Sequence, residues 1–247
     1  MACTKIKVID FITIIILPFF IIFLHCNSYR KIVQYGFRDQ SLMTIEKCME
    51  EFFEGVPLIA GKDAASLFHI PALWFSFFLG FFIICAYIAY FKINHEQQVM
   101  YRQASRKAWW RKKVTSLFLI TIVYVCAAFL SFVIWGLIMG MEMNGINISV
   151  IRVFVFSTLI LFYSGLLQYV VSLKWNPAIG LILSVGIFSV SFFIMTPLLP
   201  ANYVMLVRWE VIKHIESSIN NGLIVCIVVT VLLYFAGEMI SKKKDWF

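Results

Sequence analysis

Charge is what this sequence has least of. Asp, Glu, Lys and Arg make up 14% of its 247 residues, and only 13 of these are acids. Hydrophobic residues are 62% of the chain. No water-soluble core of this size hides so much apolar surface, so the chain is solvated mainly by lipid. The groups that chemistry requires are missing too. There is no P-loop, so the chain cannot hydrolyse ATP by itself. There is no Gly-x-Ser-x-Gly and no pair of aspartates within an apolar run. His95-Glu96 opens like a zinc-binding HExxH, but the second histidine position is Val99. Glu50-Glu51 would suit an intramembrane glutamate protease only inside a span, and they stand outside one. The sequence thus predicts no enzyme activity, no cofactor and no metal in this chain.

Cysteine is present but unpatterned. Cys3, Cys26, Cys48, Cys85, Cys126 and Cys226 form no CxxC pair and no metal-ligand spacing. Four of them lie in or beside apolar runs, where cysteine acts as a small hydrophobe. Cys26 and Cys48 can both lie outside the membrane, which leaves a disulfide between them open.

What is there is a series of six apolar runs, about residues 8–26, 71–91, 114–140, 150–173, 178–195 and 222–240. A run of about 20 residues crosses a hydrocarbon core of about 30 Å as a helix. The first run follows Lys5 and Lys7, as in a signal peptide, but ends in His25-Cys26-Asn27-Ser28 without a small-residue cleavage site, and is read as a span. The fold class expected is an all-α integral membrane protein in one transmembrane domain, with both termini cytoplasmic. Short amphipathic helices are expected between spans one and two, two and three, and five and six.

Three interruptions carry the polar residues. The loop 27–70 contains Ser41 to Glu54, where Leu42, Ile45, Met49 and Phe52/Phe53 recur at helical spacing, with acids on the other face. Its acids Glu46, Glu50, Glu51 and Glu54 can receive a cationic amphipathic peptide or can belong to a helix packed as scaffold. The segment 92–113 holds seven cations (Lys92, Arg102, Arg106, Lys107, Arg111, Lys112, Lys113) against Glu96 alone. The segment 196–221, broken by Pro197 and Pro200, is too charged to face lipid and is read as interfacial or re-entrant.

The cations decide orientation. Placing Lys5, Lys7, the 92–113 cluster, Lys174 and Lys242 to Lys244 on one side makes that side the cytoplasm. The net charge of +8 is then explained by topology, and nucleic acid is not an expected partner. Membrane lipid is. Ionisable residues in the spans, Asp10, Arg152 and Glu238, lie near span ends, which disfavours ion-coupled transport. Ser157, Tyr163, Ser164 and Gln168 in the fourth run and Ser184 in the fifth can line a translocation path. They can equally glue helices together, beside Gly165 and Gly180.

The basic segment has no helix breaker, so a short helix along the membrane surface is expected, anchored by Trp109 and Trp110. Its stretch Tyr101 to Trp110 resembles an R-x-x-S-R-x-x-W pattern in permease subunits of ABC-2-type transporters, among them small bacterial ones of antimicrobial-peptide export or self-immunity. Pro197, Pro200, Tyr203 and Trp209 before the last run are a second point of likeness. The resemblance implies a multi-pass protein of the bacterial cytoplasmic membrane that moves a peptide or other amphipathic substrate. A separate cytoplasmic ABC ATPase would bind ATP and Mg, and a second permease copy or homologue would complete the path. It also implies that Tyr101, Arg102, Ser105, Arg106, Lys107, Trp109 and Trp110 form the ATPase-coupling helix. The alternative is a non-transporting accessory protein that captures a peptide or partner on its outer loops.

Overall fold

The computed structural model describes residues 8–36, 43–55, 72–100, 106–145, 147–194, 196, 199–209 and 219–243. Tyr101, Arg102 and Ser105 of the expected coupling helix lie outside these residues, as do Leu42 and much of the loops on either side of α2. Seven α-helices are found: α1 Val8–Gln34, α2 Ile45–Phe52, α3 Ala72–Met100, α4 Arg106–Ile138, α5 Ile148–Lys174, α6 Pro177–Val190 and α7 Ile219–Lys243. Five of them are long and apolar enough to cross a membrane: α1, α3, α4, α5 and α7. This is the make-up of a multi-pass membrane protein.

The helices extend beyond the apolar runs that announced them. Helix α1 continues through the polar residues Asn27 to Gln34, and α3 continues past Phe91 to Met100. Helix α4 begins at Arg106, eight residues before its apolar run. The described parts of the basic segment therefore belong to the spans on either side, not to a separate surface helix. The physical reason is propensity: Arg, Lys, Ala and Gln are strong helix formers, and nothing between Lys92 and Lys113 breaks the backbone.

Helix α5 sits at the centre, packed against α3, α4, α6 and α7. Polar side chains within the bundle are satisfied locally. Thr121, Thr158, Ser172 and Thr230 each donate to the carbonyl four residues back, at 2.6 to 2.9 Å, so they add no unpaired hydroxyl to an apolar environment. Tyr124 reaches across to donate to the Phe77 carbonyl at 2.7 Å. Aromatic rings fill the space between α3 and α6, where Phe188 meets Trp74, Phe78 and Phe82.

The expected fifth span is the main departure. Helix α6 starts well, with Pro177 in its first turn and the Asn176 side chain accepting from Ala178 N at 3.0 Å. It has only 14 residues, about 21 Å at 1.5 Å per residue, and gives way to a turn at Ser191 to Phe193. The cause lies 16 residues further on. Two 3-10 turns, Pro200–Val204 and Leu206–Arg208, bring the Arg208 guanidinium under the end of α6. There it donates to the carbonyls of Ser191 and Phe192 (2.9 Å for Phe192) and to the Asn202 side chain. Asn202 in turn donates to the carbonyls of Ile194 and Thr196.

A helix C-terminus carries unpaired carbonyls and partial negative charge, and a buried cation there answers both. Burial lowers the Arg208 pKa to about 10, so it remains charged at neutral pH. Replacing Arg208 by Ala orphans three acceptors at once. At roughly 1 kcal/mol or more for each, the expected loss is about 3 kcal/mol, read as a lower thermal midpoint of the detergent-solubilised protein. Arg208→Lys should recover only part of it, because a single ammonium cannot reproduce the planar fork.

Candidate functional site

Three regions hold the predicted residues, and α4 joins two of them. At the basic end, Arg106 and Lys107 open α4 on its exposed side, with Arg111 and Lys112 one turn on. The two tryptophans turn inward. Trp110 is 1% exposed, donates from its indole nitrogen to the Tyr234 carbonyl of α7 at 3.0 Å, and lies flat over Gly237. A methyl group at Gly237 would sit 2.1 Å from Trp110 Cζ2, so only glycine lets the ring in. Around this contact, Arg106 donates to the Lys242 carbonyl at 2.6 Å. Glu238 pairs with Lys242 at 2.9 Å and with Lys107 at 3.5 Å. Trp109 is buried as well, with the Lys113 ammonium 5.7 Å from its ring centre.

The expected surface anchor is therefore a clamp between α4 and α7. The sequence carried one signal of it: Gly237 stands alone among large residues one turn from Tyr234 and beside Glu238.

At the opposite end, α2 closes over the bundle. Thr44 caps it by accepting from Lys47 N at 3.3 Å, and Ile45, Cys48, Met49, Phe52 and Phe53 are buried. Phe52 packs on Phe77 and Phe132, and Phe53 on Phe129. Ile45 reaches α4 where Gly136 leaves room: a Cβ there would lie 2.6 Å from Ile45 Cγ1. Both ends of α2 are tied by backbone hydrogen bonds. Ile45 N donates to Glu142 O at 2.9 Å, and Glu142 N to Met43 O at 3.1 Å. After the helix, Leu206 N donates to Phe53 O at 2.9 Å and Val207 N to Glu54 O at 3.1 Å. Gly55, at φ +77°, presses so closely on Met205 that a side chain would collide.

The four acids of this segment differ in situation. Glu46 accepts from Gly145 N at 3.0 Å through one carboxylate oxygen, while its other oxygen is buried without a hydrogen bond to any described residue. Glu50 bridges Lys47 at 2.7 Å and Asn147 at 3.4 Å. Glu51 is half-buried and Glu54 exposed. Two of the acids thus hold α2 to the α4–α5 connection. Beneath them lies a cavity of about 400 Å³ between α2, α4 and α5, walled by Ile45, Met49, Phe129, Val133, Val150 and Phe154, with Glu46 on its lining. An apolar pocket with a carboxylate at its edge suits a ligand with a greasy body and a cationic group.

The third region is the face of α5 toward α6. The Ser184 hydroxyl donates to the Ser164 carbonyl at 3.4 Å, and a Cβ at Gly180 would lie 2.9 Å from the Gln168 carbonyl. Ser157 and Gln168 are fully buried, and neither the Ser157 hydroxyl nor the Gln168 amide hydrogen-bonds a described residue. Tyr163 is half-buried. The approach at Gly180 is that of two helices packed backbone to backbone. Among the described residues, no cluster of His, Cys, Asp or Glu could hold a metal ion. The chain matches no protein-family model, no curated protein and no solved structure.

The clamp has a direct test. Gly237→Ala should cost about 1–3 kcal/mol through overpacking, read as a fall in thermal midpoint. Gly186→Ala, on α6 with nothing within 4 Å of the added carbon, should be neutral or slightly stabilising. Combining Gly237→Ala with Trp110→Ala should cost less than the two losses added, since the clash is gone.

Proposed function

We propose that this chain is the membrane-spanning permease subunit of an ATP-driven transporter of the ABC-2 kind, in a bacterial cytoplasmic membrane. It moves a peptide or other amphipathic substrate, in antimicrobial-peptide export or immunity. ATP and Mg are bound by a separate ATPase subunit, and a second permease copy or homologue completes the pathway. In this reading the basic end is cytoplasmic, α2 lies outside, and α6 with the turns after it makes the remaining passage between α5 and α7.

The observation that carries the reading is the reach of α4. It is one helix of 33 residues, about 50 Å long at 1.5 Å per residue. Its first turns present Arg106, Lys107, Arg111 and Lys112 to the cytoplasm, while Trp110 locks the same turns to α7. Its last turns support α2 through Phe129, Phe132 and Gly136. A push on the basic end is therefore delivered, as a rigid-body tilt of α4 with α7, to the lid and cavity at the far end. An ATPase with an acidic groove would dock on the exposed cations. A substrate with an apolar body and a cationic group would meet the cavity beside Glu46.

The experiment is purification of the tagged chain from its native membrane in mild detergent, with identification of what accompanies it. A stoichiometric ATPase is expected, and Arg102→Glu combined with Arg106→Glu should uncouple its ATP hydrolysis from transport while leaving insertion intact. Unchanged coupling in that variant would refute the coupling role. Recovery with only a peptide or receptor would make the chain an accessory binding protein.

A further inference from the structure

Cys26 and Cys48 have no part in this mechanism. Cys26 lies on α1 and Cys48 on α2, 22 positions apart, with their sulfurs in contact at 3.7 Å. Both side chains are buried, at 0% and 1% exposure. The other described cysteines, Cys85, Cys126 and Cys226, stand on α3, α4 and α7. The contact comes from a fixed register. The His25 imidazole lies 3.1 Å from the Cys48 carbonyl, and the backbone bonds at both ends of α2 prevent it from sliding along the bundle.

We propose that Cys26 and Cys48 are a dithiol–disulfide pair that reversibly staples α2 to α1. A disulfide bond is about 2.05 Å long, so small side-chain rotations bring the sulfurs together without moving either helix. The co-reactant is an external disulfide, R–S–S–R, of a small molecule or a protein. One cysteine thiolate attacks an oxidant sulfur, forming a mixed disulfide and expelling R–S⁻. The second thiolate then displaces the remaining R–S⁻ and closes the Cys26–Cys48 bond. Two electrons pass to the oxidant, and the two cysteine protons end on its two released thiols.

The contact with Cys26 and burial together push the Cys48 thiol up, so the reactive thiolate forms when α2 is lifted, not while it is docked. Closing the bond then fixes the lid in its docked position, and reduction frees it. The pair stands on this contact and not on the transport reading.

The full chain in detergent is incubated with oxidised glutathione, quenched with acid, denatured, alkylated with N-ethylmaleimide and mapped by mass spectrometry. The expected result is a peptide pair joined through Cys26 and Cys48, lost on adding dithiothreitol and absent from Cys26→Ser and Cys48→Ser. Cys85, Cys126 and Cys226 should be alkylated throughout. Oxidation should also raise the thermal midpoint of the native protein and leave that of Cys26→Ser unchanged. Recovery of both residues alkylated, as separate glutathione adducts, or joined to other cysteines would overturn the proposal. If the serine variants fail to insert, the peptide map of the unmodified chain decides alone.

Discussion

A carbonyl at the end of a helix in hydrocarbon has no water to bond with, and this fold is shaped by where such groups find partners. In the interior of each helix the backbone supplies its own bonds, and serine and threonine hydroxyls return to the preceding turn. At the end of α6 that supply stops in the middle of the bundle. Arg208 answers it by placing a planar cation against the Ser191 and Phe192 carbonyls, with Asn202 accepting from the same group and tying down Ile194 and Thr196. The segment that delivers Arg208 also delivers Met205, Leu206 and Val207 to the end of α2. One charged side chain thus organises the end of α6, the 3-10 turns and one edge of the lid.

The second organising relation is between the two ends of α4. At its start a tryptophan fits a glycine of α7, and at its finish a glycine admits an isoleucine of α2. These are contacts of opposite sense, a knob offered at one end and a hole at the other, along one continuous rod. Both are intolerant of displacement, because interiors packed to this density do not deform gradually. A displacement entering at Arg106 is therefore passed on as movement of the rod. The lid that receives it is held by two carboxylates, four backbone hydrogen bonds and an aromatic cluster.

Apolar runs in the sequence locate the long helices well, since crossing lipid demands length and hydrophobicity and little else. The amphipathic period of Ile45, Met49 and Phe52 was equally readable, and those residues are the ones that α2 buries. Less legible was anything set by a distant partner. The break in α6 depends on Arg208, which in sequence counts only as a charge unsuited to lipid. The inward turn of Trp110 depends on Gly237, more than a hundred residues away. A tryptophan beside lysines has the same local sequence whether it floats at an interface or fills a helix crossing. Residues 92–113 misled for a related reason: their charge marks where the membrane ends, but charge does not end a helix.

The polar residues of α5 show the same limit from the other side. Sequence leaves Ser164, Gln168 and Ser184 open between lining a path and joining helices. In the folded chain the Ser184–Ser164 bond and the tight fit of Gly180 against the Gln168 backbone make this face an interface. Gln168 is the exception, because its amide is buried without a hydrogen bond to a described residue. A primary amide in that position strongly favours any rearrangement that provides a partner. Sliding α6 along α5 would have to break the weakest polar contact of the interface, the Ser184–Ser164 bond, and would bring new backbone past the amide. The α5–α6 pair is therefore the part of the bundle with least to lose from a shear, and the α4–α7 pair, locked by an indole and two ion pairs, the part with most.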